Sequence, residues 1–413
     1  MAIQVPASQI PRVYLHDGNG RRLGQLTTAE SINRSYSLDK LDRAIVRIAL
    51  SDPLVEVCDP LSGRILVIES AHYPLPWAGK VIEWSGDHER VELVCRSYDG
   101  ILRQRFLPSG YRTNSTAGEE MRRIVETVNV RNPTGITIGD IENHILVTGV
   151  ALPDWEAWRA LDAIASLAGM EWWLDHETSP SGIVSRFRVA RARGFDRFRE
   201  VTLTTGPGGN AEWPRWRGDA EAAAFLATVI AGQEDLTQSF TERSRSVQIV
   251  EEGGGFVPGF AGTEAETIIT TFHRADGTIG TVWRYIPATP ATPDHFTPIT
   301  RREQVSIEEQ LRTRDITVQA ARMQLAQRRY SEQVIDLNVI AASAWPDVQP
   351  GNVVRLIAHG AFVRGWDGPV RILGVQPMEE LGVLRATVEL LHEVDAVERE
   401  PVEPAEPDEE EED

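Results

Sequence analysis

Cysteine and lysine are almost absent from this sequence. Among its 413 residues only Cys58 and Cys95 are cysteines, and both fall in apolar, strand-like stretches. Their number and spacing match no metal motif, so we expect two buried free thiols; a disulfide is compatible with the sequence but not implied by it. Lys40 and Lys80 are the only lysines, so arginine carries nearly all the positive charge. Arginine suits protein interfaces, although a GC-rich genome explains the bias more simply.

Long apolar runs and catalytic signatures are also lacking. No run of about 18 apolar residues could form a membrane helix, and the start, MAIQVPASQIPRVYL, has neither the basic region nor the apolar core of a signal peptide. The nine histidines form no His-Glu-x-x-His, and the glycine-rich GPGGN and GGGF lack the Lys-Ser/Thr of a phosphate loop. We therefore predict no enzymatic activity, no cofactor, and no catalytic, cofactor-binding or metal-binding residues.

A few polar and aromatic residues deserve a functional and a structural interpretation side by side. Asp175-His176-Glu177 resembles a metal cluster only weakly, and a solvated polar turn is the better interpretation. Asp154 is expected to be a helix N-cap and Glu156 a first-turn acid. Eleven tryptophans could stack on sugars, but packing in the core or at a subunit interface is favoured. Trp172 and Trp173 are adjacent in a predicted strand, so they should face opposite sides.

The charge is strongly acidic. Asp and Glu number 61 against 42 Lys and Arg, which gives a net charge of −19. About −10 of this belongs to the segment 394–413, VDAVEREPVEPAEPDEEEED, whose composition cannot bury a core and predicts disorder. The rest of the chain remains mildly acidic, so binding to nucleic-acid phosphates is not expected to be its main role.

Residues 10–106 have the pattern of an all-β domain. Apolar residues alternate through 44–50, a second strand is expected around Val55 and Val57, and a third at RILVIES. The stretch 76–95, PWAGKVIEWSGDHERVELVC, predicts a hairpin that turns at Ser85-Gly86-Asp87-His88. Short strands separated by Gly, Pro and Asp turns are typical of a barrel or sandwich.

Residues 107–198 change to a helical period. Thr116 and Glu119 have the spacing of a capping box, and a stripe of apolar residues follows. A second helix is expected after Pro153-Asp154, ending at Gly169, and two strands flank a Ser-Pro-Ser-Gly turn. The helical stripes are Met121, Ile124, Val125 and Val128, then Trp158, Leu161, Ile164 and Ala165.

Beyond residue 198 the β pattern returns, with one predicted helix. AAAFLATVIAG fits a helix or a strand equally well, and 247–250 is a short strand candidate. Residues 267–273 and 280–285 predict a hairpin around Ala275-Asp276-Gly277-Thr278. Residues 317–329 predict a helix from their high intrinsic propensity. Further strands follow over 331–393.

One short pattern occurs twice. Trp77-x-Gly-x-Val opens the hairpin described above, and Trp366-x-Gly-x-Val opens the stretch 366–390, WDGPVRILGVQPMEELGVLRATVEL, which again predicts strand, turn and strand. A five-residue match can arise by chance, but the hairpin that follows both copies favours two similarly built β domains. Duplicated barrels would allow three chains to close a ring of six similar units.

The order of these parts resembles the hub proteins of phage tails, a family that includes baseplate hubs and tail-tip minor tail proteins of long-tailed phages. The resemblance covers about 1–393 and rests on element order and on diffuse patterns such as DVQPGNVVRLI before the second hairpin. It implies a mixed α+β, β-dominated fold with two tail-tube-like β-barrels, an inserted α+β domain and a smaller inserted hairpin-bearing segment. The implied domains are a β-barrel over 1–106, an α+β domain over 107–198, a second β-barrel from 199–250 and 315–393, an inserted β segment and linker over 251–314, and an acidic disordered tail over 394–413.

The resemblance also implies a role and partners. The chain would be a structural protein of the virion tail tip, made in the host cytoplasm, that forms a homotrimeric ring continuing the tail tube. Its partners would be the distal tail protein, the tape measure protein, and tail fibres or receptor-binding proteins. DNA would pass through the ring without specific binding, and an acidic lumen would keep the phosphates from adhering. The fused peptidase, lysozyme-like or fibre domains of some family members are not matched by any part of this sequence.

Two other classes of function remain open at the level of sequence. A receptor- or carbohydrate-binding tail protein would carry its tryptophans on one exposed face. A cell-wall-degrading enzyme is a weaker alternative, because the sequence offers no catalytic constellation. The acidic tail could engage a basic partner, although a solubilising role is the simpler expectation.

Overall fold

The computed structural model of the chain describes twelve segments and is dominated by β-strands, with two α-helices among the described residues. Two seven-stranded sheets, a small α+β unit and a five-stranded sheet make up this β-rich mixed α+β fold. The described segments are 11–38, 42–58, 63–143, 145–152, 155–219, 226–232, 245–249, 264–273, 279–287, 303–308, 332–358 and 366–391.

The first part of the chain contains eight strands. Seven of them form the first seven-stranded sheet, and one short strand pairs elsewhere. Its neighbouring strands are all antiparallel, as expected for hairpin-rich sequence with short turns. The residues around Val55 and Val57, predicted as a strand, instead form a 3₁₀ turn, because Asp52 accepts the backbone N–H groups of Leu54 and Val55 and curls the chain. The strands are β1 (Arg12–His16), β2 (Arg22–Leu26), β3 (Ser31–Arg34), β4 (Tyr36–Ser37), β5 (Arg43–Ala49), β6 (Ile65–Glu69), β7 (Trp77–Gly86) and β8 (Arg90–Ser97), in the order β2-β1-β6-β7-β8-β5-β3.

The α+β unit follows and has its own core. Both predicted apolar stripes are buried, and Gly169 ends the second helix in the left-handed conformation with φ 61°. The predicted capping box is wrong: Thr116 is the N-cap, but its hydroxyl donates to Asn143 Oδ1 at 2.9 Å instead of accepting a helix N–H. Glu156 is the N-cap of the second helix, and Asp154 lies outside the described residues. The elements are β9 (Arg112–Thr116), α1 (Ala117–Arg131), β10 (Ile136–Ile141), β11 (Leu146–Ala151), α2 (Ala157–Ala168), β12 (Glu171–Ser179) and β13 (Gly182–Ala190), with sheets β10-β13-β12 and β11-β9.

The second seven-stranded sheet is assembled from distant parts of the chain. Alternating apolar residues such as Ile335, Leu337 and Val339 point into the core, as the sequence pattern predicts. Its first two strands precede the five-stranded sheet in the sequence, and the others follow it. The strands are β14 (Thr202–Thr204), β15 (Ala211–Asp219), β21 (Glu332–Val339), β22 (Val353–Ala358), β23 (Trp366–Met378) and β24 (Val383–Leu390), in the order β14-β22-β23-β24-β21-β15, and β4 pairs with β23.

The five-stranded sheet lies between β15 and β21 in the sequence. The ambiguous LATVIAG is a strand, and the predicted hairpin of 267–273 with 280–285 is confirmed by antiparallel pairing. Residues 226–232 and 245–249, which the sequence grouped with the second barrel, pair within this sheet; the domain limits themselves stay a prediction. The predicted helix 317–329 and the acidic tail 394–413 lie outside the described residues. The strands are β16 (Leu226–Gly232), β17 (Arg245–Ile249), β18 (Glu264–His273), β19 (Ile279–Pro287) and β20 (Glu303–Glu308), in the order β17-β18-β19-β16-β20.

Two apolar cores hold the described residues together. One contains the helices α1 and α2 and reaches Tyr14 and Val67 of the first sheet. The other is continuous across both seven-stranded sheets, from Val13 and Trp77 on the first to Ile335 on the second. Burying apolar side chains is the main favourable term in folding, so this shared core joins the two sheets into one packed unit.

Candidate functional site: the contact between the two seven-stranded sheets

Five strands of each seven-stranded sheet follow the same plan. In the first sheet the order is β6-β7-β8-β5-β3, and in the second it is β22-β23-β24-β21-β15. Every neighbouring pair is antiparallel in both, and the strands occur in the same chain order. The Trp-x-Gly-x-Val strand occupies the same place in each. The repeat seen in the sequence is therefore a repeat of topology, and the five-stranded sheet is inserted where the first copy has only a short connection from β3 to β5.

Packing explains why the motif needs tryptophan and glycine two residues apart. A Cβ placed on Gly79 would lie 2.2 Å from Trp77 Cη2 and 2.4 Å from Arg96 O. A Cβ on Gly368 would lie 3.0 Å from Trp366 Cζ2. In both copies the indole ring folds along its own strand over the glycine. At Gly79 only hydrogen leaves room for it, whereas a Cβ on Gly368 would require the ring to shift slightly. The motif's valines, Val81 and Val370, are completely buried in the shared core.

The second hairpin, β23–β24, packs against the first sheet. Beyond the part of β23 that pairs with β22, its free edge pairs with β4, matching Gly374 with Ser37 and Val375 with Tyr36. A β-bulge between Ile372 and Gly374 turns this end of the strand toward β4. The segment that follows β3 thus extends the second sheet by two residues of backbone pairing.

A buried ion pair anchors the turn of this hairpin. Glu379 follows β23, and its Oε1 lies 2.5 Å from Arg34 Nη2 at the end of β3; the two side chains are 3% and 0% exposed. Arg34 Nε also donates to Tyr36 Oη at 3.1 Å, and Tyr36 Oη donates to Leu75 O at 2.8 Å. Burial raises the pKa of Tyr36 to about 12, so the phenol stays a neutral link in this network. Every polar group has a partner here, which is the condition for a tolerable buried charge.

A second polar cluster lies where the first sheet meets the α+β unit. Ser37 donates its N–H and hydroxyl to the Asp42 carboxylate at 3.1 and 2.9 Å, and the Ser97 hydroxyl donates to Asp99. Burial raises the pKa of Asp42 to about 7 and the pKa of Asp99 to about 6. The positive charge of the nearby Arg193 guanidinium partly opposes this rise at both carboxyl groups. These carboxyl groups therefore exchange protons near neutral pH.

Arg193 connects this cluster to the second sheet through its backbone. Its N–H donates to Glu171 Oε2 at 2.7 Å, and the same carboxylate oxygen lies 2.6 Å from Arg371 Nη2 on β23. Its guanidinium lies over the Trp173 ring at 5.9 Å. The first sheet, the α+β unit and the second sheet thus meet at this one arginine.

The Asp175-His176-Glu177 cluster noted in the sequence has a structural role. Asp175, His176 and Glu177 lie within β12 and not at a turn, which corrects the predicted position. Asp175 pairs with Arg188 at 2.6 Å and Glu177 with Arg186 at 2.9 Å, both across to β13. His176 Nδ1 lies 2.9 Å from a Ser185 hydroxyl, and burial, with the nearby Arg193 charge, lowers the pKa of His176 to about 4.

The other candidates are accounted for by packing. Within the described ranges, no three or more His, Cys, Asp or Glu side chains gather closely enough to hold a metal ion. Cys58 and Cys95 are buried free thiols, as predicted. Trp172 packs edge-on against Trp158 at 4.7 Å while Trp173 faces Arg193, which confirms the opposite-face prediction. Among the tryptophans whose burial the structure describes, Trp84 alone is mostly exposed, at 57%.

Membrane insertion through a helix finds no support in this part of the molecule. None of the helices among the described residues is long and apolar enough to cross a bilayer.

Comparison with known proteins identifies the fold. The sequence matches no protein-family model and no curated protein. Solved structures do match over nearly the whole chain. The tail protein from Neisseria meningitidis MC58 is 14% identical with a TM-score of 0.54, and the match covers 92% of this chain and 96% of that protein. The chain has the fold of a phage tail protein.

Two further tail proteins support this conclusion. The 43 kDa tail protein of prophage MuSo2 from Shewanella oneidensis is 13% identical, with a TM-score of 0.53 and coverage of 92% of this chain and 98% of that one. Prophage tail protein gp18 from Listeria monocytogenes EGD-e is 9% identical, with a TM-score of 0.50 and coverage of 94% and 97%. The tail-protein fold therefore extends over both sheets and the α+β unit between them, as the sequence resemblance implied.

The residues that join the two halves of this tail-protein fold were missed by sequence reasoning. Arg34 and Glu379 are 345 positions apart, and neither belongs to a motif. Asp42 and Asp99 have no sequence signal either. The one available clue was the repeat itself, since it predicted two similar domains that would have to contact each other.

Proposed function

We propose that this chain is the structural hub of a phage or phage-like tail tip. Three copies would form a ring that continues the tail tube and leaves a conduit for DNA. The observation that carries the proposal is the repeated five-strand plan, because three chains with two similar sheets each supply six similar units. The likeness to tail proteins supports the fold on which this ring depends.

In this proposal the work of the protein is assembly and mechanical coupling and not catalysis. The partners would be the distal tail protein, the tape measure protein and fibres or receptor-binding proteins, all within the virion. The continuous core and the buried Arg34–Glu379 pair support a coupling role, since they make the two sheets of one chain move as a unit. The net negative charge supports free passage of DNA.

The test is the mass and shape of the purified protein, alone and mixed with a candidate distal tail protein. Light scattering on a sizing column should give three times the chain mass of 45.9 kDa, and negative-stain images should show a ring with a central hole and a nearly sixfold outline. A monomer alone with a ring in the mixture would also support the proposal. A monomer in both would argue against the hub.

A carbohydrate-binding role receives less support. Sugar recognition by stacking needs exposed aromatic rings on one face. Trp77, Trp158 and Trp345 are at most 8% exposed, and the exposed Trp84 stands on a projecting hairpin. Retention on a glycan array would favour this alternative.

A further inference from the structure

The two matching hairpins have opposite environments. In the second copy, Gly374 and Val375 pair with β4, and Glu379 contacts Arg34 of the first sheet. In the first copy, every residue from Ile82 to Arg90 is exposed. Ile82 is 37% and Trp84 57% exposed, so an apolar surface projects into solvent at the place where the second copy is covered.

The edge of this projecting hairpin is also unpaired. β6 pairs with β7 only through Trp77–Lys80, and among the described residues no strand continues beside 82–86 on that side. β7 carries a bulge between Val81 and Glu83, close to the bulge that lets β23 turn toward β4. A free, exposed strand edge with an apolar face is a template for pairing with another chain.

Register gives the residue-level correspondence between the copies. The last pairs before each turn are Gly86 with Val91 and Met378 with Val383, so four residues separate the strands in both hairpins. Counting from these pairs, Asp87 occupies the position in the first hairpin that Glu379 occupies in the second.

The same counting extends to the receiving strands. Cys95 and Thr387 are equivalent, so Ala44 corresponds to Asp336 through their pairings. Arg34 pairs with Ala44, and Arg215 pairs with Asp336. Arg215 therefore occupies the position in the second sheet that Arg34 occupies in the first. It is exposed, and it has no ion-pair partner among the described residues.

From these observations we propose that the hairpin 82–90 of one chain docks at Arg215 on β15, the edge strand of the second sheet, in a second copy of the chain. The docking repeats between chains the contact that β23–β24 makes within a chain. Asp87 faces Arg215 of the second copy, as Glu379 faces Arg34, and the exposed Trp84 is covered. This inference rests on the proposed ring and specifies its subunit contact.

The contact is head-to-tail, because each chain gives a hairpin from its first sheet and receives one on its second. Such heterologous contacts close into a ring when the rotation allows it. Since the intramolecular contact already fixes the angle between two neighbouring sheets, the repeated contact places the following sheet at a similar angle. Alternating first and second sheets would then follow one another around the ring.

A charge swap in the full-length chain tests the contact. Asp87→Arg and Arg215→Asp should each weaken self-association roughly tenfold or more, since each puts like charges together. The double variant should restore most of it. Asp87→Asn, which keeps an acceptor for the turn N–H groups of Glu89 and Arg90, should weaken association less than Asp87→Arg. Arg385→Asp, at an exposed position of β24, is the matched control and should behave as wild type.

Photo-crosslinking supplies a second measurement. With Trp84 replaced by benzoylphenylalanine, irradiation at high protein concentration should join two chains, and mass spectrometry should find the crosslinked partner residue within 211–219. A ring by light scattering with crosslinks elsewhere, or without restoration by the swap, would overturn the proposed contact and leave the hub standing. If the chain alone is a monomer, the crosslink is sought in the ring formed with the distal tail protein, and its absence there would overturn the contact. Failure to form a ring even with that partner would overturn the hub as well.

Discussion

Arg34 and Glu379 are separated by 345 positions in the chain and form one ion pair with both side chains buried. Arg34 ends a strand of the first seven-stranded sheet, and Glu379 stands on the turn of the hairpin that contains the second Trp-x-Gly-x-Val motif. The pair joins the two halves of the repeat, so it reports directly on how the two sheets are held together.

Breaking this pair on one side should destabilise the chain strongly. Glu379→Leu leaves the Arg34 guanidinium buried without its carboxylate, and we expect a loss of about 3–5 kcal/mol in the free energy of unfolding. The double variant Arg34→Met/Glu379→Leu should be clearly more stable than Glu379→Leu alone, because no charge is left buried. Chemical denaturation monitored by circular dichroism measures both. Equal losses in the single and double variants would contradict this view of the pair.

The two motif glycines should differ in their tolerance of a methyl group. Gly79→Ala forces a Cβ against both the Trp77 ring and the rigid Arg96 carbonyl, and we expect a cost of about 3 kcal/mol. Gly368→Ala meets only the Trp366 ring at 3.0 Å, which can shift, so a cost of about 1 kcal/mol is expected. Thermal unfolding of the two variants side by side gives the comparison. The reverse order would show that the indole does not pack over the glycine as described.

Stability should depend on pH through Asp42. Its pKa is raised by burial to about 7 in the folded chain, from an ordinary value of 3.8, so the folded state holds a proton that the unfolded state releases. The resulting stabilisation is fully present below about pH 4 and is lost as the pH rises through about 7. Asp99, with its pKa raised to about 6, acts in the same direction. The charged group facing them is Arg193.

Asp42→Asn isolates the effect of this carboxyl group. The difference in unfolding midpoint between wild type and Asp42→Asn should shift in favour of the variant as the pH rises from 5 to 8. Asn keeps the size of the side chain and one acceptor for Ser37. A pH-independent difference between the two proteins would refute the raised pKa.

The two cysteines should be inert in the folded protein. Burial raises the pKa of Cys58 to about 11, and Cys95 is shifted further in the same direction, so neither forms the reactive thiolate at neutral pH. We expect no reaction with Ellman's reagent under native conditions and two reactive thiols in denaturant. A single equivalent released from native protein would show that one of the two sites opens.

Local sequence patterns predicted many elements of this fold. The stripes of α1 and α2, the end of α2 at Gly169 and the hairpin β18–β19 all depend on interactions between residues close in sequence. The predictions that were wrong also have local causes that a pattern does not show. The sequence around Val55 and Val57 predicts a strand, but Asp52 accepts the backbone N–H of Leu54 and the chain turns there. Thr116 has the spacing of a capping box, but Asn143 binds its hydroxyl.

By itself the sequence determined the β-rich α+β class, the acidic balance and the existence of two copies of one hairpin, because apolar periodicity and the Trp-Gly packing act within a strand. Only the tertiary structure decided that the second hairpin is covered by β3 and β4 while the first is exposed. It also brought Arg34 to Glu379 and Asp42 to Asp99. Those contacts depend on which surfaces the shared core presses together, and a linear pattern carries no information about a partner hundreds of residues away.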